Sequence, residues 1–291
     1  MSIKALEASS AFMALLAVTT ITAITATMAP TAFAQESAPT KNTKAGESIG
    51  LKKSITWEKI QDNPAPLHIR GKIEPRHSDL SRPSWWSIGC ETLDRDYSVF
   101  ENYKQFVGQT GAGYARLQSG WARTEKEKGK YDFAWLDAQV DGLLEQGLHP
   151  WISLSYGNPI YTDGGTDLNA GIFGEGKVMQ AWEKYVAAVV KHYKGKVEMY
   201  EVWNEPDGGG RNKEYEKYVV LFDHTSRAIR KADPSAKIAG FAVCNPNAIG
   251  RNGVDYIMES VKIMKKRGCL DNLDYITFHG YWDIPDLIAP T

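Results

Sequence analysis

The feature that most constrains the fold is a repeated alternation between short apolar runs and longer amphipathic stretches. The short runs are rich in β-branched and aromatic residues, which is typical of strands buried on both faces of a parallel sheet. Each run is followed by apolar residues at helical spacing, for example Val99, Phe100, Tyr103, Phe106 and Val107. Repeated strand–helix units predict an α/β fold with helical crossovers.

Six strands are predicted, at Trp85–Cys90, Gly113–Leu117, Pro150–Ser155, Val197–Val202, Lys237–Val243 and Leu273–His279. Helices are predicted between them, over 99–107, 133–144, 177–194, 214–232 and 252–267. Two architectures fit this order, a doubly wound open sheet and a (β/α)8 TIM barrel. No GxGxxG follows the first strand and no P-loop occurs. Polar and aromatic residues instead gather just after the strands, where a barrel carries its active face, and this favours the barrel.

The N-terminal region has the pattern of a secretory signal peptide. Lys4 precedes an uncharged stretch over 11–33, and Ala32-Phe33-Ala34 fits a cleavage site. We therefore predict a signal peptide over 1–34 and a secreted protein, periplasmic or extracellular, that contacts no membrane after cleavage; a membrane anchor is the alternative. A flexible linker is predicted over 35–50, an N-terminal extension over 51–83 and the barrel over 84–291.

Composition excludes several classes of function. A net charge of -1 with 43% apolar residues argues against a disordered chain and against a nucleic-acid binder. The 9 Trp and 14 Tyr fit either ordinary packing or the stacking of rings on sugars. The three cysteines, an odd number, are expected to be buried free thiols. Neither HExxH nor a Cys/His cluster occurs, so we expect no metal and no cofactor.

The most specific motif is Tyr-Glu-Val-Trp-Asn-Glu-Pro-Asp over 200–207, at the end of the fourth predicted strand. On this motif the sequence resembles the clan A glycoside hydrolases, particularly family 39, which includes β-xylosidases and α-L-iduronidases. The resemblance runs from about Trp85 to Tyr281, including Arg116, the segment 121–137 and His279-Gly280-Tyr281. It implies a TIM barrel that hydrolyses β-linked sugars, such as xylosides or related polysaccharides, with retention of configuration.

The resemblance also implies catalytic roles. The Glu of Asn-Glu-Pro is the acid/base of the clan, so Glu205 is expected to protonate the leaving oxygen and later to activate water. Such a donor needs a raised pKa. Asn204 is expected to bind the sugar 2-hydroxyl. Arg116 is expected to orient the nucleophilic carboxylate, and a structural ion pair with Glu201 is the alternative.

Five further residues are candidates for substrate binding: His279, Tyr281, Trp121, Glu91 and Asn158. His279 and Tyr281 alternate, so both can face the barrel mouth. Asn158 lies in a long loop over 156–176, and such loops often bind ligands. The alternatives are a core His, an interfacial Tyr and a mobile surface loop.

The sequence carries an acid/base candidate but no counterpart of the clan's nucleophile, which lies at the end of strand seven. We therefore expect an incomplete barrel of about six βα units, with strands seven and eight missing, as in a fragment or a frameshifted gene. The alternatives are substitute strands from the N-terminal extension and a reduced, inactive relative. The expected function is a retaining glycoside hydrolase that binds an oligo- or polysaccharide, and the alternative is a non-catalytic secreted carbohydrate-binding relative.

Overall fold

Six parallel strands form one sheet in the part of the chain that the computed structural model describes, residues 74–93, 98–166, 172–208, 212–244 and 253–279. The strands are β1 Ser87–Gly89, β2 Tyr114–Gln118, β3 His149–Leu154, β4 Met199–Val202, β5 Lys237–Val243 and β6 Tyr275–Phe278. Each strand pairs with the next one along the chain. A doubly wound sheet reverses its strand order at a switch point, and this sheet does not. The prediction of a partial (β/α)8 barrel is therefore confirmed.

Helices connect the strands as the periodicity predicts. They are α1 Phe100–Val107, α2 Trp121–Thr124, α3 Ala134–Glu145, α4 Lys177–His192, α5 Tyr215–Ala232 and α6 Gly253–Arg267. The five longer helices coincide with the predicted ones to within a few residues. The four-residue α2 and a 3-10 turn at Leu270–Asn272 were not predicted, because such short elements do not complete a hydrophobic repeat.

The two faces of the sheet differ in chemistry, as β2 illustrates. Ala115 and Leu117 lie in the apolar core. Arg116 and Gln118 point the other way and are buried among polar groups. Arg116 reaches Glu201 on β4 past the intervening β3, which requires the concave side of a curled sheet. The concave side is therefore polar near the carboxyl ends of the strands.

The convex side is covered by helices whose apolar faces complete the core. On α4 the buried residues include Val178, Trp182, Tyr185 and Val189, which recur every three or four positions. Trp182 also donates from its indole Nε1 to Thr225 Oγ1 on α5, at 2.8 Å. Neighbouring helices are thus joined by packing and by a buried hydrogen bond.

Residues 76–80 run along the opposite end of the sheet from the polar side chains. Their backbone amides donate to the turn after α1, from Arg76 to Gln109 O at 3.1 Å and from Ser78 to Gly108 O at 2.9 Å. His149, the first residue of β3, lies 3.1 Å from Leu80 O through its Nε2. A shallow cavity of about 440 Å³ opens here, away from the strand ends that carry the candidate site.

Cys90, Cys244 and Cys269 are thiols that form no disulfide; Cys90 and Cys269 are buried as expected, whereas Cys244 is partly exposed. No described helix is both long and apolar enough to cross a membrane. The predicted signal peptide, the linker and most of the N-terminal extension lie outside the described residues, and so does Tyr281. These assignments, together with secretion, stay predictions.

Candidate active site

Glu205 is held in position by an unusual backbone directly after β4. Trp203 and Glu205 both adopt left-handed conformations, with φ of 68° and 48°. This region is disfavoured for residues with a β-carbon, so other contacts must hold it. The Glu205 amide donates to Ala242 O on β5 at 3.2 Å, and the Glu205 carbonyl accepts from Gly208 N at 2.9 Å. The turn that presents Glu205 thus depends on the neighbouring strand.

That neighbouring strand contains a bulge, where its register with β6 shifts between Gly240 and Val243. Phe241 and Ala242 in the bulge have φ of 85° and 40°. The backbone amides of these two residues donate to side chains instead of to the backbone of a strand. Phe241 N donates to Tyr218 Oη at 2.6 Å, and Ala242 N donates to Thr277 Oγ1 at 3.1 Å. Bulges often re-aim backbone groups near active sites, and this one turns the Ala242 carbonyl towards the Glu205 amide.

Glu205 is paired with His279, which follows β6. His279 Nδ1 lies 2.7 Å from Glu205 Oε1, and the side chains are 8% and 25% exposed, respectively. Partial burial works to raise the pKa of Glu205. The hydrogen bond and charge of His279, the Cys244 thiol and the charge of Arg116 outweigh it, so the pKa is lowered. This differs from the raised pKa expected of a proton donor, because His279 stabilises the ionised carboxylate.

Arg116 is the hub of a buried ion-pair network and is only 3% exposed. Its guanidinium donates to Glu201 Oε2 from Nε at 3.1 Å, to Glu91 Oε1 at 2.7 Å and to Asn204 Oδ1 at 2.9 Å. Burial works to lower the pKa of Arg116, but Glu201 and Glu91 raise it above its ordinary value. The ion pair with Glu201, the structural alternative raised by the sequence, is present. Glu91 and Asn204 join the same network.

The Asn204 side chain is held at both ends. Its Oδ1 accepts from Arg116, and its Nδ2 donates to Tyr156 Oη at 2.8 Å. Tyr156 Oη also accepts from Gln118 Nε2 at 3.2 Å. Asn204 is partly exposed, whereas Tyr156 and Gln118 are buried. Asn204 and Glu205 therefore form the accessible edge of a buried polar network.

Trp121 is a correction to the sequence-based prediction, which placed it at the sugar site. It is fully buried, and its indole Nε1 donates to Glu125 Oε2 at 2.5 Å. Its ring packs against four other aromatic rings, those of Tyr161, Phe173, Trp182 and Tyr185. No face of the ring is left for a sugar, so Trp121 belongs to the core.

Asn158 is a second correction. It is fully buried, its Nδ2 donates to Glu125 O at 2.8 Å, and its Oδ1 accepts from Ile160 N at 3.1 Å. Glu125 in turn accepts from Gly129 N and from Tyr161 Oη. Asn158 therefore fixes the loop after β3 to the segment after α2 and has no exposed polar atom for a substrate.

The structure thus brings together Glu205, Asn204, Arg116, Glu91 and His279 from the predicted set. Sequence reasoning missed Gln118 and Tyr156. Gln118 could have been found, because it lies two residues after Arg116 on the same strand and therefore on the same face. Tyr156 carries no such periodic signal, since it follows the end of β3.

The described part of the chain contains no group of three or more His, Cys, Asp or Glu that could hold a metal ion. The prediction that no nucleophile is present stays a prediction, because residues 280–291 are not described. What the site offers chemically is two partly exposed carboxyls, Glu205 and Glu91, of which Glu205 stands on the turn after β4. Around it lie amide, hydroxyl and cationic groups that can bind hydroxyls.

Comparison with known proteins identifies similar sequences. The sequence profile of glycosyl hydrolases family 39 matches residues 115–286, more than half of the chain. A β-xylosidase of Geobacillus stearothermophilus is 25% identical over 128 residues, covering 39% of this chain and 25% of that protein.

Solved structures share the fold. A family 39 glycoside hydrolase from Bacteroides cellulosilyticus WH2 superposes with a TM-score of 0.56 at 18% identity, covering 71% of this chain and 40% of that one. A monomeric β-xylosidase from Caulobacter crescentus CB15 superposes with a TM-score of 0.51 at 25% identity, covering 72% of this chain and 44% of that one. The chain spans less than half the length of these relatives.

Proposed function

Because the chain belongs to glycosyl hydrolase family 39, we propose that it hydrolyses O-glycosidic bonds of β-linked sugars, with Glu205 as the acid/base carboxyl. One observation carries this proposal. Glu205 stands on a left-handed turn at the carboxyl end of β4, a quarter exposed, beside Asn204 and in contact with His279. The carboxyl ends of barrel strands are where enzymes of this fold place their reactive groups.

The two forms of Glu205 correspond to the two steps of a retaining reaction, in which a second, nucleophilic carboxylate that is not among the candidate residues of this chain holds the glycosyl group between the steps. Glycosidic cleavage requires a proton on the leaving oxygen while positive charge develops at the anomeric carbon. A sugar in the cleft would exclude water from Glu205, and desolvation raises the pKa of a carboxyl, which favours the protonated donor. After the leaving group has departed, the hydrogen bond from His279 favours the ionised form, which is the base that activates water.

Asn204 and Glu91 are proposed to bind the sugar. The Asn204 Nδ2 can donate to a sugar hydroxyl because it carries two hydrogens and Tyr156 accepts only one. Glu91 bonds Arg116 through Oε1 and remains about one-fifth exposed, so its carboxylate can also accept from a hydroxyl. We propose a xylose-configured sugar as the first substrate to test, since two of the relatives are named β-xylosidases.

The proposal is tested with the full chain and 4-nitrophenyl β-D-xylopyranoside, together with the α-anomer. We expect nitrophenol release from the β-anomer alone and loss of turnover of xylobiose in Glu205→Gln. The matched control is Glu127→Gln, which changes an exposed glutamate that pairs with the exposed Lys130, and it should retain full activity. Binding of xylo-oligosaccharides without turnover of any β-linked sugar would overturn the proposal in favour of a carbohydrate-binding protein.

A further inference from the structure

The hydroxyl of Tyr156 lies between two side-chain amides at the floor of the candidate site. It accepts from Asn204 Nδ2 at 2.8 Å and from Gln118 Nε2 at 3.2 Å. Tyr156 is only 3% exposed, and its ring packs edge-on against Trp203 with 6.1 Å between ring centroids. The hydroxyl oxygen is therefore a fixed acceptor that cannot swing away from Asn204.

Two partners fix the orientation of the Asn204 amide. A guanidinium has only N–H groups to offer, so the Asn204 atom that faces Arg116 at 2.9 Å must be the amide oxygen. The amide nitrogen is then on the side of Tyr156. Arg116 comes from β2 and Tyr156 follows β3, so the amide is held from two neighbouring strands.

We propose that Tyr156 is a positioning residue for hydrolysis: it accepts one Asn204 N–H and thereby presents the other to the sugar hydroxyl beside the anomeric carbon. This inference rests on the proposed function. Asn204 is the partly exposed member of the group and directly precedes Glu205 in the sequence. Without the Tyr156 hydroxyl, the amide would lose the acceptor that holds its nitrogen in place.

The kinetic test is Tyr156→Phe, which removes the hydroxyl and keeps the ring. For 4-nitrophenyl β-D-xylopyranoside we expect kcat/KM to fall by about tenfold, the value of one hydrogen bond. For the 2-deoxy analogue of that substrate we expect no fall, because the hydroxyl that Asn204 binds is absent. The matched control is Tyr200→Phe, which removes a buried hydroxyl that has no hydrogen-bond partner in the described structure, and it should act as wild type.

A second readout does not depend on turnover. The side-chain amide of Asn204, identified in 15N NMR spectra by its loss in Asn204→Ala, should show one strongly shifted proton in the wild type. In Tyr156→Phe the chemical shift of that proton should move to the value of an amide without a hydrogen bond. An unchanged amide signal, or equal kinetic loss on both sugars, would overturn the inference. If the wild type turns over neither sugar, the proposed function fails, while the amide signal still decides whether Tyr156 orients Asn204.

Discussion

His279 Nδ1 and Glu205 Oε1 lie 2.7 Å apart, although the two residues follow strands β6 and β4, which are not neighbours. The strand between them holds both. The Glu205 amide donates to Ala242 O at 3.2 Å, and the His279 amide donates to Val243 O at 2.7 Å. Two consecutive carbonyls of the β5 bulge therefore set the distance between the carboxylate and the imidazole.

Removing the imidazole should raise the pKa of Glu205. In the folded chain the pKa is lowered chiefly by His279, against the opposing effect of burial. A proton donor is active only while protonated, so a higher pKa extends activity to higher pH. In His279→Ala, the alkaline limb of kcat/KM for xylobiose should therefore move to higher pH.

His279→Gln is the control for that shift. Glutamine can keep an N–H donor near Glu205 but carries no charge, so its alkaline limb should lie between those of the wild type and His279→Ala. An unmoved limb, or one that moves to lower pH in His279→Ala, would show that His279 does not stabilise the ionised carboxylate.

The fold could be predicted in nearly all its elements, because hydrophobic periodicity is set by local geometry. Strand β5 was predicted at the observed bounds, Lys237–Val243, and α3 within about one residue of its start. The resemblance to family 39 singled out Glu205, Asn204 and Arg116, and these residues lie close together because the carboxyl ends of parallel strands meet at one edge of the sheet. The barrel order then followed from the alternation of strands and helices.

The parts that escaped prediction depend on long-range packing. Glu205, Phe241 and Ala242 adopt left-handed backbone although none of them is a glycine, so their residue types do not signal it. Trp121 was predicted to bind substrate, but its indole N–H donates to Glu125 and its ring packs into a cluster built from other elements. The direction of the pKa shift of Glu205 depends on His279, which lies 74 residues away.

Trp121→Phe tests the corrected position of Trp121. Loss of the indole N–H leaves Glu125 without one donor and opens a cavity, so we expect the free energy of unfolding to fall by about 2 kcal/mol. The KM for aryl xylosides should stay within about twofold, because Trp121 is fully buried and presents no ring face to a sugar. Trp85→Phe is the control, because Trp85 is 85% exposed and should not alter stability. A raised KM with unchanged stability in Trp121→Phe would contradict the correction and indicate that Trp121 binds the sugar.

Asp274 should contribute to stability in a pH-dependent way. It accepts from Ile238 N at 2.9 Å, from Arg230 at 2.6 Å and from Lys237 at 3.3 Å. Burial works to raise the pKa of Asp274, but these partners lower it. A lowered folded-state pKa means that the stabilisation is present above the unfolded value of 3.8 and is lost as the pH falls through the folded value.

Asp274→Asn should therefore lower the free energy of unfolding at pH 7 by about 1–2 kcal/mol, measured by urea denaturation. The difference from wild type should shrink as the pH falls below about 3.8. Asp271→Asn, an exposed neighbour on the 3-10 turn, is the control and should leave stability unchanged at both pH values. A difference that persists or grows in acid would contradict the assignment.

The most direct test of the central claim is the leaving-group dependence of Glu205→Gln. A proton donor matters for a poor leaving group, so kcat/KM for xylobiose should fall by a factor on the order of 10²–10⁴. A 2,4-dinitrophenyl β-D-xylopyranoside needs little protonation, and its kcat/KM should stay within about tenfold of wild type. Equal loss on both substrates would contradict the role of Glu205 as the acid/base.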